Sequence, residues 1–163
     1  MGYVFTDKSL LEQALTHCSY SSVHNERLEF LGDAFLDFVV GDELFHLHPS
    51  CKEGDLSRMR AKIVCGDSLA AIGRDLGLGA LLRLGAGESN SGGRDRSSNL
   101  ANAVEALVAA VYLDGGIDAG RSLINRLFNQ YLQNAASDTP KDAKTCLQEY
   151  LQSRHLMLPQ YSL

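Results

Sequence analysis

The chain is predicted to be all-α. Leu and Ala dominate, runs of β-branched residues are few, only three Pro interrupt 163 residues, and apolar positions recur at helical spacing along most of the sequence. At this length, with 45% hydrophobic residues, one sizeable core can be buried, so one domain and a short remainder are expected.

Each element follows from local signals. Thr6 or Asp7 can cap a first helix with Leu10, Leu11, Ala14 and Leu15 on its inner face, running to about His17. Asn25 is placed to cap a long second helix from Glu26 to about Phe45, closed off by Pro49. A third helix is expected from about Glu53 to Val64 and a fourth from about Asp67 to Leu76, ended by Gly77 and Gly79. The Gly- and Ser-rich stretch 84–96 is expected to be a mobile loop. Ser97 or Ser98 then caps a fifth helix that Gly115 and Gly116 stop, and a sixth spans about Asp118 to Leu132. Residues 135–141, AASDTPK, have the composition of a linker, and the roughly 22 residues after them cannot bury a core alone.

The totals exclude some functions. A formal net charge of −5 argues against holding nucleic acid by bulk electrostatics. Four cysteines without a CxxC pair read as the reduced thiols of a cytoplasmic protein. No run of 18 apolar residues suggests a membrane partner. The loop GAGESNSGGRDR lacks the GK[ST] of a phosphate-binding loop, and no small-molecule cofactor is expected.

The chemistry concentrates in NERLEFLGDAFLDFVV, residues 25–40. At about 100° per residue, Glu26, Glu29, Asp33 and Asp37 fall on one line. Leu28, Leu31, Phe35, Phe38 and Val39 lie opposite, and Phe30, Leu36 and Val40 fall on or beside the acidic line. The helix is thus apolar nearly all round, as a buried one would be. From Leu100 to Leu113 the only strongly polar residues are Asn102 and Glu105, spaced i, i+3 on one face. A buried carboxylate with no partner costs several kcal/mol, as an order of magnitude, and that helix has no Arg or Lys to offset it. Packing it on the acidic helix brings like charges together unless a divalent cation intervenes. Oxygen ligands without His or Cys suit Mg²⁺ or Mn²⁺ rather than Zn²⁺. A solvated acidic face is the ordinary alternative, and spacing alone leaves both open.

ERLEFLGDA, residues 26–34, resembles the signature of the ribonuclease III family. ALTHCS (14–19), EGDLSRMRAKIV (53–64), SGGRDRSS (91–98), EAL…YLDGG (105–116) and KTCLQEYLQ (144–152) follow in the family's order and spacing. The resemblance implies an endonuclease domain over residues 1–134, a linker over 135–141, and the start of a truncated α/β double-stranded-RNA-binding domain over 142–163. It implies that Glu29, Asp33 and Glu105 are metal-ligand carboxylates, with Asp33 and Glu105 central to catalysis, and that Glu26 and Glu53 are accessory acids of the RNA cleft. Asn102 stands where the family commonly has a metal-linked aspartate. An amide still offers an oxygen to Mg²⁺ but removes a negative charge, so weaker metal affinity is expected.

The same resemblance implies a homodimer, associating through the helix that carries Phe30, Phe35 and Phe38, that hydrolyses double-stranded RNA with two Mg²⁺ ions, Mn²⁺ substituting. Products would carry 5′-phosphate and 3′-hydroxyl ends with two-nucleotide 3′ overhangs, and substrates would include ribosomal and other structured precursors. Lys52, Arg58, Arg60 and Lys62 around the third helix, and Arg94 and Arg96 after the glycine loop, are candidate phosphate contacts. The alternatives are a catalytically weakened RNA-binding dimer and a purely dimeric scaffold.

Overall fold

The structure is a computed structural model that describes residues 2–135 together with Leu151 and Arg154. Apart from those two, the linker after Ala135 and the RNA-binding segment expected over 142–163 lie outside the described residues. The order is α1 (Lys8–Ala14), α2 (Glu26–Leu47), α3 (Glu53–Ile63), α4 (Gly66–Asp75), α5 (Leu78–Leu81), α6 (Ala86–Asn90) and α7 (Ser97–Asn134). Among the described residues no strand forms, only an isolated bridge between Thr16 and Arg83.

α7 is the axis of the fold, with α2 and α4 packed along it and α1 and α3 closing the sides. Its stretch Ala103–Val111 contains small or branched apolar side chains apart from Glu105 and Leu107, and all but Glu105 are buried. Length and composition alone would let α7 cross a membrane, but here it is the core helix, largely buried inside the domain. α2 contributes Leu36, Val39, Val40 and Leu44 to the same core, and the second half of α7 contributes Leu123, Ile124 and Phe128.

Two glycines shape this packing. At Gly32 a β-carbon would stand 1.9 Å from the carbonyl oxygen of Glu105, so only glycine lets α2 lie this close to α7. At Gly116 the backbone takes φ 79°, ψ −176°, which breaks α7 into the two helices expected from the sequence while leaving it otherwise continuous. Just before that break, Asp114 accepts hydrogen bonds from the Tyr3 hydroxyl and the Thr6 and Asp7 amides, each at 2.8 Å. The N-terminal strap is thereby tied to the core helix.

Several local expectations are corrected. Asp7 does cap α1, its Oδ1 accepting from the Ser9 amide at 2.9 Å, but the helix ends at Ala14 because the chain turns to bond with Arg83. Asn25 makes no side-chain cap; it is buried, and its backbone N–H donates to the Thr16 carbonyl at 2.8 Å. Arg96, not Ser97 or Ser98, precedes α7, and the Ser97 hydroxyl instead accepts from Arg74 at 2.7 Å. α2 runs to Leu47, α3 stops at Ile63, and α4 spans Gly66–Asp75.

The stretch 84–96 is not a mobile loop. It contains α6 and is stitched by Glu88, whose Oε1 accepts from the Arg96 guanidinium at 2.7 Å and from the Asn99 amide at 2.8 Å. Asn99, buried on α7, also donates to the Gly93 carbonyl at 2.9 Å. Gly and Ser here mark tight turns, and the anchoring polar partners lie in neighbouring elements where composition does not show them.

Candidate active site

The buried edge of α2 consists of Leu28, Gly32, Leu36, Val39, Val40 and Leu44. The acidic line runs along the rim of that edge, so its members differ in exposure: Glu29 is half-buried, Asp33 and Glu26 are exposed, and Asp37 lies between. The expectation that α2 is buried all round is therefore corrected. Beyond the acidic rim the helix faces outward, with Phe30 79% and Phe38 59% exposed, and Phe45 continues that apolar surface.

Because Gly32 seats on Glu105, the acidic rim meets the polar face of α7 at the crossing. Glu105 is pushed up to about 7, by burial first and then by the charges of Asp33, Glu29 and Asp37. Glu29 is also raised, by burial first, then Glu26 and Asp33, while the Asn102 amide acts in the opposite sense as a hydrogen-bond donor. Its Oε2 is buried with no hydrogen-bond partner. Four residues named from the sequence, Glu29, Asp33, Asn102 and Glu105, thus converge at one crossing.

That crossing has surplus negative charge and an orphaned carboxylate oxygen; His17 and the Asn102 amide offset part of the rise at Glu29, and no Arg or Lys among the described residues offsets that at Glu105. The donor set is all oxygen and fits a hard divalent cation. Among the described residues, no three His, Cys, Asp or Glu side chains stand together as a finished metal cage. The carboxylates here would have to draw together around an ion.

Glu53 is elsewhere. It opens α3, accepts from the Ser57 hydroxyl at 2.8 Å, and lines a groove of about 610 Å³ with Asp37, Arg60, Phe38 and Phe45. Arg60 approaches Asp37 at 3.9 Å across the same groove. Lys52 is exposed immediately before α3, Lys62 is exposed in its last turn, and Arg58 is paired with Asp55 at 2.6 Å. Arg94 donates to the carbonyls of Gly79 at 2.8 Å and Leu82 at 3.0 Å, which makes it a brace for α5, while Arg96 is held by Glu88.

Sequence reasoning gave no role to Glu88 or Asp114. Glu88 is held below the usual carboxylate range by the Asn99 amide first, then by Arg96 and His17. It fixes the start of the helix that carries Asn102 and Glu105. The available signal was Asn99, a polar residue beginning an otherwise apolar helix.

The Ribonuclease-III-like family profile matches residues 7–132. The chain is 54% identical over 162 residues to Ribonuclease 3 of Buchnera aphidicola subsp. Acyrthosiphon pisum (strain Tuc7), covering 99% of this chain and 72% of that protein. It is 52% identical over 164 residues to Ribonuclease 3 of Pseudomonas aeruginosa (strain LESB58), covering all of this chain and 72% of that one. The nuclease domain of the Campylobacter jejuni ribonuclease III, whose structure was described for flexibility in a region involved in dimer formation, superposes with a TM-score of 0.77 at 45% identity. That match covers 79% of this chain and 91% of the other. The Dicer structure from Pichia stipitis shares the fold, with a TM-score of 0.66 at 24% identity over 93% of this chain and 68% of that one. An all-helical domain with its acids gathered where α2 crosses α7, matched along the whole chain by these relatives, places the protein in the ribonuclease III family as an endoribonuclease, a hydrolase.

Proposed function

We propose that this endoribonuclease cleaves double-stranded RNA at a divalent-cation site formed by Glu29, Asp33, Asn102 and Glu105, with Mg²⁺ resident and Mn²⁺ able to replace it. The observation that carries the reading is the uncompensated charge at the α2–α7 crossing: Glu105 pushed up to about 7 and the buried, partnerless Oε2 of Glu29. When bound, two such ions neutralise charge on the entering and departing oxygens of the phosphodiester, leaving 5′-phosphate and 3′-hydroxyl ends. Glu29 and Glu105 would hold the cations from the floor of the crossing, and Asp33 from its exposed lip. Glu26 and Glu53 border the cleft.

Duplex RNA is read by shape and 2′-hydroxyls, with Lys52, Arg60 and Lys62 on the α3 side as the phosphate contacts. The chain acts as a homodimer. The exposed Phe30, Phe38 and Phe45 form the kind of apolar face that a two-fold contact covers, and paired sites would leave two-nucleotide 3′ overhangs. Cys18, Cys51 and Cys65 are free thiols, as suits the cytoplasm, where ribosomal and other structured precursors are the substrates.

The test is a labelled duplex incubated with Mg²⁺, with Mn²⁺, and with chelator, beside a single strand of the same sequence. Cleavage should require the duplex and the cation, and Glu105→Gln should lower it on the order of a hundredfold or more. Equal cleavage by Glu105→Gln would remove the site from the crossing. One observation favours a second reading, an RNA-binding dimer with weakened catalysis: Asn102 is a neutral amide among the carboxylates of the crossing and brings no negative charge to a cation. Duplex retained on a filter in Mg²⁺ but left uncut would establish it.

A further inference from the structure

The loop that follows α1 is pinned on two sides. Toward α2, the Thr16 carbonyl accepts from the Asn25 backbone N–H, and the Asn25 carbonyl accepts from the Glu29 backbone N–H, both at 2.8 Å. Toward α6, the Gly85 backbone N–H donates to the Ser19 hydroxyl at 3.0 Å, and a β-carbon on Gly85 would collide with the Ser19 carbonyl. His17 lies between these ties. Its own N–H donates to the Arg83 carbonyl at 3.0 Å, and its carbonyl accepts from the Tyr20 N–H at 2.9 Å. The half-buried His17 ring therefore stands at the gap between the first turn of α2 and α6, where a charge on it would act on Glu29 on one side and Glu88 on the other.

The proton of that ring is placed by its neighbours. A backbone N–H can only donate, so the Ser19 amide, 3.1 Å from Nδ1, makes Nδ1 an acceptor. The Ser19 hydroxyl, 2.8 Å from the same nitrogen and itself accepting from Gly85, turns its hydrogen toward the ring. In the neutral ring the proton then sits on Nε2. The Cys18 sulfur stands 3.9 Å from both ring nitrogens alike, so it lies along neither N–H direction. Other donors beside the gap are spent: Arg96 and the Asn99 amide bond Glu88, and the carboxylates there only accept. The Nε2–H is the donor the fold leaves over.

We propose that His17, held as its Nε2–H tautomer by Ser19, donates to a phosphate oxygen of the duplex at the gap between α2 and α6, gripping the backbone without adding charge. The tautomer is independent of the duplex reading; the phosphate contact rests on it.

Long-range proton–nitrogen NMR of the isotope-labelled 163-residue chain, at about pH 8 in EDTA, reads the tautomer, with His17→Gln assigning the signal. Nε2–H is expected, and an Nδ1–H ring overturns the proposal. Duplex binding and Mg²⁺-dependent cleavage are then measured for the parent, His17→Ala and His17→Gln, with circular dichroism confirming equal helical content. His17→Ala should raise the duplex Kd and KM about tenfold, as loss of one hydrogen bond to a charged group does, with kcat within about twofold. His17→Gln, whose amide nitrogen reaches the place of Nε2, should recover most of that loss. Because the donor is neutral, the salt dependence of binding should be the same in all three proteins.

If both substitutions weaken binding equally, the ring only shapes the loop; if His17→Ala lowers the salt slope by about one ion, the ring binds as a cation. Either result overturns the neutral phosphate contact. Parent-like binding and cleavage by His17→Ala overturns it while the duplex reading stands, whereas a parent that neither binds nor cuts duplex removes both.

Discussion

Gly32 and Glu105 touch through the backbone: a β-carbon at position 32 would stand 1.9 Å from the Glu105 carbonyl oxygen. Gly32→Ala must therefore push α2 off α7. Overpacking of this kind costs about 1–3 kcal/mol, and it separates Glu29 and Asp33 from Glu105. The variant should fold, melt several degrees lower, and lose cleavage out of proportion to its lost stability. Parallel measurement of melting temperature and duplex cleavage checks this. Parent-like cleavage in a destabilised Gly32→Ala protein would show that the site tolerates the displacement.

Glu105 gives the metal-free protein a pH dependence of definite sign. Its carboxyl titrates at about 7 in the fold against an ordinary value of 4.5, so between those values the folded state holds a proton that the unfolded state releases. Stability contributed by this group is present at low pH and is lost as pH rises from about 4.5 through about 7; Glu29, also raised, acts in the same direction. In EDTA the melting temperature should fall between pH 5 and pH 8. Glu105→Gln should flatten that fall, and Mg²⁺ should do the same for the parent. A parent profile already flat in EDTA would contradict the assignment.

The outward apolar face of α2 should hold two copies together. Phe30 and Phe38 contribute little to the core of a single chain, so Phe30→Ser combined with Phe38→Ser should leave helical content unchanged. Light scattering should show the parent at twice 17.7 kDa and the double variant at 17.7 kDa. A parent that scatters as a monomer at micromolar concentration removes this surface from the assembly.

Arg94 and Lys52 should separate by what their loss affects. Arg94 donates to main-chain carbonyls at the end of α5, and charged hydrogen bonds of this kind contribute about 1.5–3 kcal/mol, so Arg94→Ala should lower the melting temperature. Lys52 is exposed before α3, and Lys52→Ala should leave melting unchanged while reducing the salt dependence of duplex binding by about one ion. Binding isotherms at several salt concentrations, set beside melting curves, would expose an exchange of these roles.

The helices and the acidic residues were legible because each is written in local spacing. The acidic line of α2 and the isolated Glu105 stood out because carboxylates on apolar helices need an explanation, but the choice of Glu29, Asp33 and Glu105 as ligands came from the family resemblance. The outward face of α2 was harder to read. The resemblance put Phe30, Phe35 and Phe38 together on a self-association face, and the packing of α2 on α7 divides them: Phe30 and Phe38 point outward, whereas Phe35 turns in and stacks on Tyr112 at 4.7 Å. Asn25 and Ser97 look like caps but serve as tertiary partners. The role of Arg94 was hidden for the same reason: its partners are main-chain carbonyls, which carry no sequence signature.

The knot built on Glu88 bears on how the protein can be handled. By composition, 84–96 is where a protease would be expected to nick the chain or an engineer would place an insertion. Yet Glu88 binds Arg96 and Asn99, and Asn99 sits in the first turn of the helix that presents Asn102 and Glu105 about one and two turns further on. A cut or a tag there would loosen the N-terminal anchorage of α7; held by these bonds, the segment should resist limited proteolysis and is the wrong place for a splice, however permissive its glycines look.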